Sequence, residues 1–480
     1  MSYTNFCCRS GGSNLNAGTR TGDTTEPGTS ADLTYTGGSW VSGTRVFTVA
    51  SGDPVADGVV VGDYAALDTG GSSAALIGRV TARTSTTITI NATFAGANPS
   101  NGTYTLRIGG AFEGPAGAVS FPFGLANGNA GLVNANGDRV RYNFKNNAAF
   151  SISAAMTHNI SNGPVVFQGY STNYGDGGIS HIQGPATGSS FVHLTSNTAG
   201  ICLVDMEFSR NGDSGSSNCL SLSGPGVLLL RVVVHDVRGS GFAIGSAASA
   251  LVECEAYGCN QSNAANQSGF NLSSTSTAVR CIASNNTGSN TSGFYSAAGN
   301  NDAVFVDCIA SENENKGFLV TSNHQHFFNC VAYFNGSDGI FASGVGSLYI
   351  ENCILLRNGG YGINGNSAAK EGFIINCGYG SGAGLANTSG NTGGIRSVVS
   401  IGDITITADP WVNAASGDFR LNNTAGGGAL LRGTGRGYFL QTESGQSGTV
   451  SYPDVGAVQH EETAGGGSTL FIPVVNTVLG

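Results

Sequence analysis

The chain has 480 residues, 76 of them glycine and only 10% charged, with a formal net charge of −10. Twenty basic side chains spread this thinly argue against a nucleic-acid groove, and 40% hydrophobic residues is too many for a disordered chain. No run approaches the roughly 20 apolar residues of a membrane-spanning helix, and Met1–Phe6 has neither a basic nor an apolar leader region, so neither membrane insertion nor export is expected.

Residues 1–30 are polar and read as an irregular N-terminal segment or cap. Residues 31–112 have a texture of their own. Arg45–Val49, Gly58–Leu67, Ala75–Arg83, Thr86–Ile90 and Thr103–Ile108 are short apolar runs rich in β-branched residues, separated by Gly/Asp/Ser turns. That pattern predicts a small β-barrel or sandwich, inserted into or capping the repetitive region C-terminal to it.

From 113 to 400 the chain repeats itself. Cysteines at 254, 281, 308, 330, 353 and 377 recur every 22–27 residues inside one pattern, as in Phe305-Val306-Asp307-Cys308-Ile309-Ala310. A second beat follows each one: Gly269-Phe270, Gly293-Phe294, Gly317-Phe318, Gly339-Ile340 and Gly362-Ile363. Upstream, Met206 and Val232 fill the cysteine slot. A period of this length marks a solenoid. Each unit is too short and Gly-rich for a helical hairpin, and its alternation reads as strand. Val306, Cys308 and Ala310 are expected on one face, Phe305, Asp307 and Ile309 on the other. Stacking such units predicts a parallel β-solenoid with cysteine as a reduced, buried, small apolar filler, which implies synthesis in a reducing compartment.

Three further columns accompany the slot. Five residues after it stand Asn211, Asn286, Asn313, Asn335 and Asn358, expected to form an amide ladder at a corner. Immediately before it stand Asp205, Arg231, Glu253, Arg280, Asp307, Asn329, Asn352 and Asn376, expected to be a solvated outward ladder with opposite charges on adjacent coils. One position after it, Val233, Ile282, Ile309, Val331 and Ile354 form an outward apolar stripe, to be covered by a loop or by another subunit. Residues 401–460 are expected to cap the exposed strand edges of the solenoid end. Residues 461–480 are a Gly-rich linker and an apolar tail strand, in which Leu470, Phe471, Ile472, Val474 and Val475 are the candidate assembly residues.

The V-x-C-x-A…N…G-F coil resembles the repeat of the right-handed parallel β-helix proteins of the pectate-lyase-like superfamily over roughly residues 160–400. Pro164–Tyr170 is similar to that group's strand entering the first full coil. Asp409-Pro410-Trp411, Asp418-Phe419-Arg420-Leu421 and Asp454–Ala457 resemble its C-terminal cap, and Ser10–Thr19 is a looser match to its start. The resemblance implies an all-β, right-handed parallel β-helix. It leaves activity open, because the superfamily holds polysaccharide lyases, hydrolases and phage tailspikes.

The expected function is a structural and adhesive protein of a tailed-phage virion (a fibre, spike or capsid-attached appendage) that binds host-surface polysaccharide. It would be made in the host cytoplasm, work as a homotrimer or higher assembly, and contact other virion proteins. Tyr295, Tyr333, Phe334 and Tyr361 are the candidate ligand-binding aromatics. The alternatives are a polysaccharide lyase or glycoside hydrolase on the same fold, and a purely structural lattice or tube assembled through the C-terminal strand. Catalysis is the less favoured reading, and its candidates are Glu207, Glu255, His235 and Asp236. Glu207 and Glu255 are placed two coils apart, roughly 9.6 Å at strand spacing, at the wide limit for an inverting pair. No cofactor is expected. His324 and His326 are spaced to share a metal but lack a visible third ligand, so no metal is expected either.

Overall fold

In the computed structural model the chain is almost entirely β-structure. The structure describes residues 4–9, 17, 26–28, 30–70, 76–96, 98–113, 139–152, 155–158, 164–190, 192–196, 199–245, 248–264, 267–272, 275–288, 291–296, 303–321, 324–343, 346–365, 370–382, 384–395, 397–435 and 454–458. Two compact units, Met1–Ser273 and Ser274–Gly480, divide it. Parallel β-solenoid turns, about nine in all, occupy both. The tail with Leu470, Phe471, Ile472, Val474 and Val475 lies outside the described residues, as does most of Ser10–Thr19.

One backbone feature sets the shape of each coil. The residue before the slot is left-handed throughout, with φ of 50–55° at Asp205, Arg231, Glu253, Arg280, Asp307, Asn329, Asn352 and Asn376. Five residues later a second left-handed residue follows, at Arg210, Asp236, Gly258, Asn285, Glu312, Phe334 and Arg357. Asn, Asp and Gly visit this region most readily, which accounts for part of the composition of both columns. The six-residue run predicted as one strand is therefore two, as in Ala303–Val306 and Ile309–Ser311.

The left-handed residue also shifts the alternation by one position. Within Ser276–Ser284, Ala278, Cys281 and Ala283 are buried, while Val279 and Ile282 are half-buried. Phe305 accordingly points inward and stacks on Phe327 at 5.0 Å. The expectation that put Phe305 outward beside Asp307 is corrected, because uninterrupted period-two alternation cannot cross a left-handed corner.

In the first unit the solenoid starts earlier than the sequence suggests. Thr4–Arg9 is a strand whose Thr4–Cys8 pair in parallel with Val140–Phe144. Six antiparallel strands between Leu33 and Ile108 close a separate small barrel around Trp40, Phe47, Leu67, Ile88 and Leu106. Because partners from one coil lie on both sides of it in the chain, the barrel is an insertion. Phe6 meets its Tyr64 edge-on at 4.9 Å.

A second insertion comes after it. Gln168 pairs with Val204 and Ser180 with Met206, so residues 169–179 stand where the next coil has Asp205 alone. Asp176 fastens this loop by accepting from the backbone N–H groups of Ser171, Thr172, Asn173 and Gly178.

In the second unit the repeat is regular. Cys281, Cys308, Cys330, Cys353 and Cys377 are buried thiols outside any disulfide, and the Cys330 N–H donates to the Cys353 sulfur at 3.3 Å. Beside them runs a continuous amide ladder. Each Nδ2 donates to the next Oδ1, from Asn286 to Asn313, Asn335, Asn358 and Asn387, at 2.8–2.9 Å. Asn387 is a rung that the spacing did not reveal.

The ladder explains the glycine beat. A Cβ on Gly339 would stand 2.7 Å from the Gly362 carbonyl oxygen and 2.9 Å from Asn358 Nδ2. Gly317 is hemmed in the same way by the Gly339 carbonyl at 2.6 Å and Asn335 Nδ2 at 2.9 Å.

The apolar stripe is covered by the chain's own C-terminal segment. Ile309, Val331 and Ile354 share one buried cluster with Trp411, Phe419, Leu421, Leu431 and Val455. The described part of this segment lies against the flank of the strands, and Gly456 N–H donates to the Asn352 carbonyl. The column before the slot is therefore not solvated here, and that expectation is corrected. Asp307, Asn329, Asn352 and Asn376 are all buried, with Asn329 donating to Asp307 and Asn376 to Asn352 at 3.0 Å each.

Candidate functional site

Among the described residues a cluster of titratable side chains lies in the first unit, on the outward face of strands Ser180–Gln183, Ile201–Ser209, Leu228–His235 and Glu255–Tyr257. Each strand turns alternate residues inward: Ile182, Met206 and Phe208, Val232 and Val234, Ala256. The residues between them form two outward columns. Register places His181, Glu207, Val233 and Glu255 in one, and Gln183, Ser209, His235 and Tyr257 in the other. Partners on adjacent coils stand 22 or 26 residues apart in sequence, and the solenoid period alone brings them together.

His235 is the centre of the group. Its Nε2 lies 2.9 Å from Glu207 Oε1 and its Nδ1 2.9 Å from Asp236 Oδ2. Tyr257 stacks flat on its ring at 4.7 Å with 8° between the planes. His181 approaches from the other side, its Nε2 3.5 Å from the same Glu207 oxygen and 2.6 Å from Ser209 Oγ. Among the described residues, His181, Glu207 and His235 are the one set of three His, Cys, Asp or Glu side chains close enough to share an ion, with ligand atoms all within 4.8 Å of one another. All three are half-buried.

The local fields differ sharply over this short distance. His235 is raised above the ordinary histidine range, first by its hydrogen bond to Glu207 and then by Asp236, against a burial effect that lowers it. Glu207 is lowered, chiefly by the same hydrogen bond. His181 is lowered because burial disfavours its cation more than Glu207 supports it. Glu255 is raised by burial, which His235 only partly offsets, and burial pushes Tyr257 up to about 12. Two carboxyls shifted in opposite directions thus occupy the same outward column.

Of the catalytic candidates read from sequence, Glu207, His235 and Asp236 come together directly, and Glu255 lies two coils along from Glu207 with Val233 between. His181, Ser209 and Tyr257 were missed. The available signal was register: His181 falls in the Glu207 column only once residues 169–179 are counted as an insertion.

The aromatic candidates, all in the second unit, do not converge. Tyr295 and Tyr361 belong to one sheet, while Tyr333 lies in another and Phe334 follows it at the corner. Tyr333 is 6% exposed and packs edge-on against Trp411 and Phe419 under the C-terminal segment, out of a ligand's reach. Phe334 is 59% exposed. Gly393 lies against the Tyr361 ring. Tyr295 stands half-exposed in register with Leu319, and Leu319 with Phe341. His324 binds Ser347 at 2.7 Å and His326 lies against Phe328 and Tyr349, so the two serve different neighbours.

No protein-family model matches the chain, and no curated protein does. Among solved structures it is similar to the A-module of the mannuronan C-5 epimerase AlgE6 of Azotobacter vinelandii, at 15% identity over 56% of this chain and 72% of that one, with a TM-score of 0.43. It is also similar to pectate lyase Pel9A, at 15% identity over 67% and 88% with a TM-score of 0.35. A third is the tailspike protein gp49 of Pseudomonas phage LKA1, at 11% identity over 84% and 66% with a TM-score of 0.22. Likeness this distant assigns no activity, and the fold stands on its own strand registers. Among the described residues no helix is long and apolar enough to cross a membrane.

Proposed function

We propose that this protein engages a polysaccharide, and that the sugar chain lies across the outward columns of the first unit at His181, Glu207, His235, Asp236, Glu255 and Tyr257. The observation that carries this reading is the Tyr257–His235 stack flanked by Glu207 and Asp236. Carboxylates accept hydrogen bonds from sugar hydroxyls, an aromatic surface packs against the ring faces, and the solenoid repeats its outward positions coil by coil. The setting we propose is the virion of a tailed phage. In support, the eleven cysteines are all thiols outside any disulfide, and all but Cys202 are buried, as suits assembly in a reducing cytoplasm. A homo-oligomer, expected as a trimer, with the apolar tail at Leu470–Val475 docking on another chain, belongs to the same proposal.

A second reading has a specific observation behind it. The Glu207 carboxyl is lowered by its hydrogen bond to His235, while burial raises that of Glu255. Opposed environments of this kind are how one site keeps both a base and an acid. Two coils of separation, about 9.6 Å at strand spacing, sits at the wide end for an inverting glycosidase.

Retention on whole host cells or on their extracted surface polysaccharide tests the first reading. Tyr257→Ala is expected to lower retention at least tenfold with the fold intact by circular dichroism, and unchanged retention in a Tyr257→Ala/Glu207→Gln double variant would overturn it. Release of reducing ends from the same polysaccharide, abolished by Glu207→Gln and by Glu255→Gln, would establish the hydrolase reading instead.

A further inference from the structure

We propose that His181, Glu207 and His235 form a three-ligand site for one divalent transition-metal ion of the zinc class, with Asp236 as the positioning residue that orients His235. The donors are two imidazole nitrogens and one carboxylate oxygen. Glu207 Oε1 lies 2.9 Å from His235 Nε2 and 3.5 Å from His181 Nε2. Two ligands each about 2.1 Å from a tetrahedral ion stand about 3.4 Å apart. The Glu207 oxygen thus sits near the separation an ion would impose from each histidine, and all three ligand atoms lie within 4.8 Å of one another.

Three features select the class of ion. A set of two nitrogens and one oxygen suits zinc and its first-row neighbours, whereas calcium and magnesium take oxygen ligands almost throughout. The site is open on its solvent side, the Glu207 side chain being 31% exposed. That leaves a coordination position for water or for a hydroxyl or carboxylate of a bound molecule, as three-ligand sites do. Asp236 Oδ2 accepts from His235 Nδ1 at 2.9 Å. A carboxylate on the far nitrogen of a histidine fixes the ring and turns Nε2 toward the ion.

The backbone supports the same assignment. His181 and Glu207 are register partners on adjacent strands, and His235 is the register partner of Ser209, two residues beyond Glu207. Strand pairing therefore holds all three ligands, with no loop needed to close over the ion. Asp236 sits at a left-handed corner, φ 54°, immediately after the strand ends. That corner turns its carboxylate back toward the His235 ring. Ser209 Oγ lies 2.6 Å from His181 Nε2, so an ion bound at that nitrogen would take the place of this hydrogen bond.

The site is the one proposed above to contact polysaccharide, but the test is read without sugar, so the two proposals fail separately. Full-length protein is freed of metal with a chelator and dialysed against zinc chloride, and bound ion is counted by elemental analysis and titration calorimetry. One zinc per chain is expected, with a rise in melting temperature that chelator reverses. His181→Ala and His235→Ala should each weaken binding at least 100-fold. Asp236→Asn should weaken it 10–100-fold, and His324→Ala should leave it unchanged. Cobalt in place of zinc should give the visible spectrum of a four- or five-coordinate ion, which a merely structural change at Asp236 would not shift. Binding that survives in the His181→Ala/His235→Ala double variant would overturn the site, and stoichiometric binding of calcium in preference to zinc would overturn the class. Absence of bound zinc in wild-type protein with its native circular dichroism would overturn both.

Discussion

The two units solve the same coil with different corners. In the second, the residue after the far corner is asparagine on coil after coil, and five side chains from Asn286 to Asn387 hydrogen-bond in one file. In the first, the corresponding places hold Asn211, Val237 and Cys259. Asn211 is buried there but works alone, donating to the Ser217 carbonyl and accepting from Arg238 N–H. The outward faces differ in parallel. Next to the unbroken ladder, the strands carry an apolar stripe buried beneath the C-terminal segment. Next to the broken one, with its inserted loop at 169–179, they carry the histidines and carboxylates. The lesson is that the regular rungs go with a covered apolar flank and the irregular ones with an outward polar cluster, because a repeated corner leaves less freedom to vary what stands beside it.

Breaking the ladder should have the largest effect. Asn335→Ala removes the acceptor of the Asn313 backbone N–H and Nδ2 and the donor to the Ala310 carbonyl and Asn358 Oδ1. At 1–3 kcal/mol per orphaned buried group, a loss of about 5 kcal/mol is expected by denaturant unfolding. Amide exchange should accelerate on both flanking coils. An effect confined to the mutated corner would show that the file is not cooperative.

Removing the cover comes next. Phe419 meets Tyr333 at 5.6 Å and Trp411 at 5.2 Å. Phe419→Ala should cost about 3–4 kcal/mol and expose the stripe, seen as new binding of a hydrophobic dye. A variant that is destabilised without dye binding would argue that the stripe stays covered.

A third test concerns the column of left-handed corners, where one carboxyl sits among asparagines. Asp307 is 3% exposed, and burial raises its pKa to about 7, against a hydrogen bond from Asn329 and the charge of Arg280 that lower it. Because the folded value lies above the unfolded one, the protonated form is what the fold favours. The contribution of this group to stability is whole below about pH 4, falls as pH rises toward 7, and is level above that. Asp307→Asn should remove the dependence and gain about 4 kcal/mol at pH 8, at about 1.4 kcal/mol for each tenfold difference in proton affinity between the folded and unfolded chain. Equal stability of variant and wild type at pH 4 and pH 8 would show that the site is hydrated.

The smallest effect is the counterpart of the first. Asn211→Ala breaks two hydrogen bonds at an isolated corner and should cost only about 1–2 kcal/mol, with no propagation to its neighbours. A loss as large as that at Asn335 would erase the distinction between the units.

Legibility in the sequence followed the same division. The cysteine slot, the asparagine column and the glycine beat could be read because each recurs on coil after coil, and recurrence survives any error in local conformation. The direction of Phe305 could not, since a single left-handed residue inverts everything upstream of it. Glu207, His235 and Asp236 were visible as outward charges, but His181 was not, because its column depends on how many residues the corner at 169–179 holds. Tyr333 looked like a surface aromatic and is buried, for the strand pattern cannot tell what another segment will lay upon it.

By itself the order of residues determined the period, the cysteine slot of the interior and the presence of a separate barrel, since these rest on recurrence and spacing along the chain. Only the tertiary structure decided which outward side chains share a site and which are covered. Those outcomes depend on register between coils and on where the C-terminal segment folds back, and neither quantity is encoded in any single repeat.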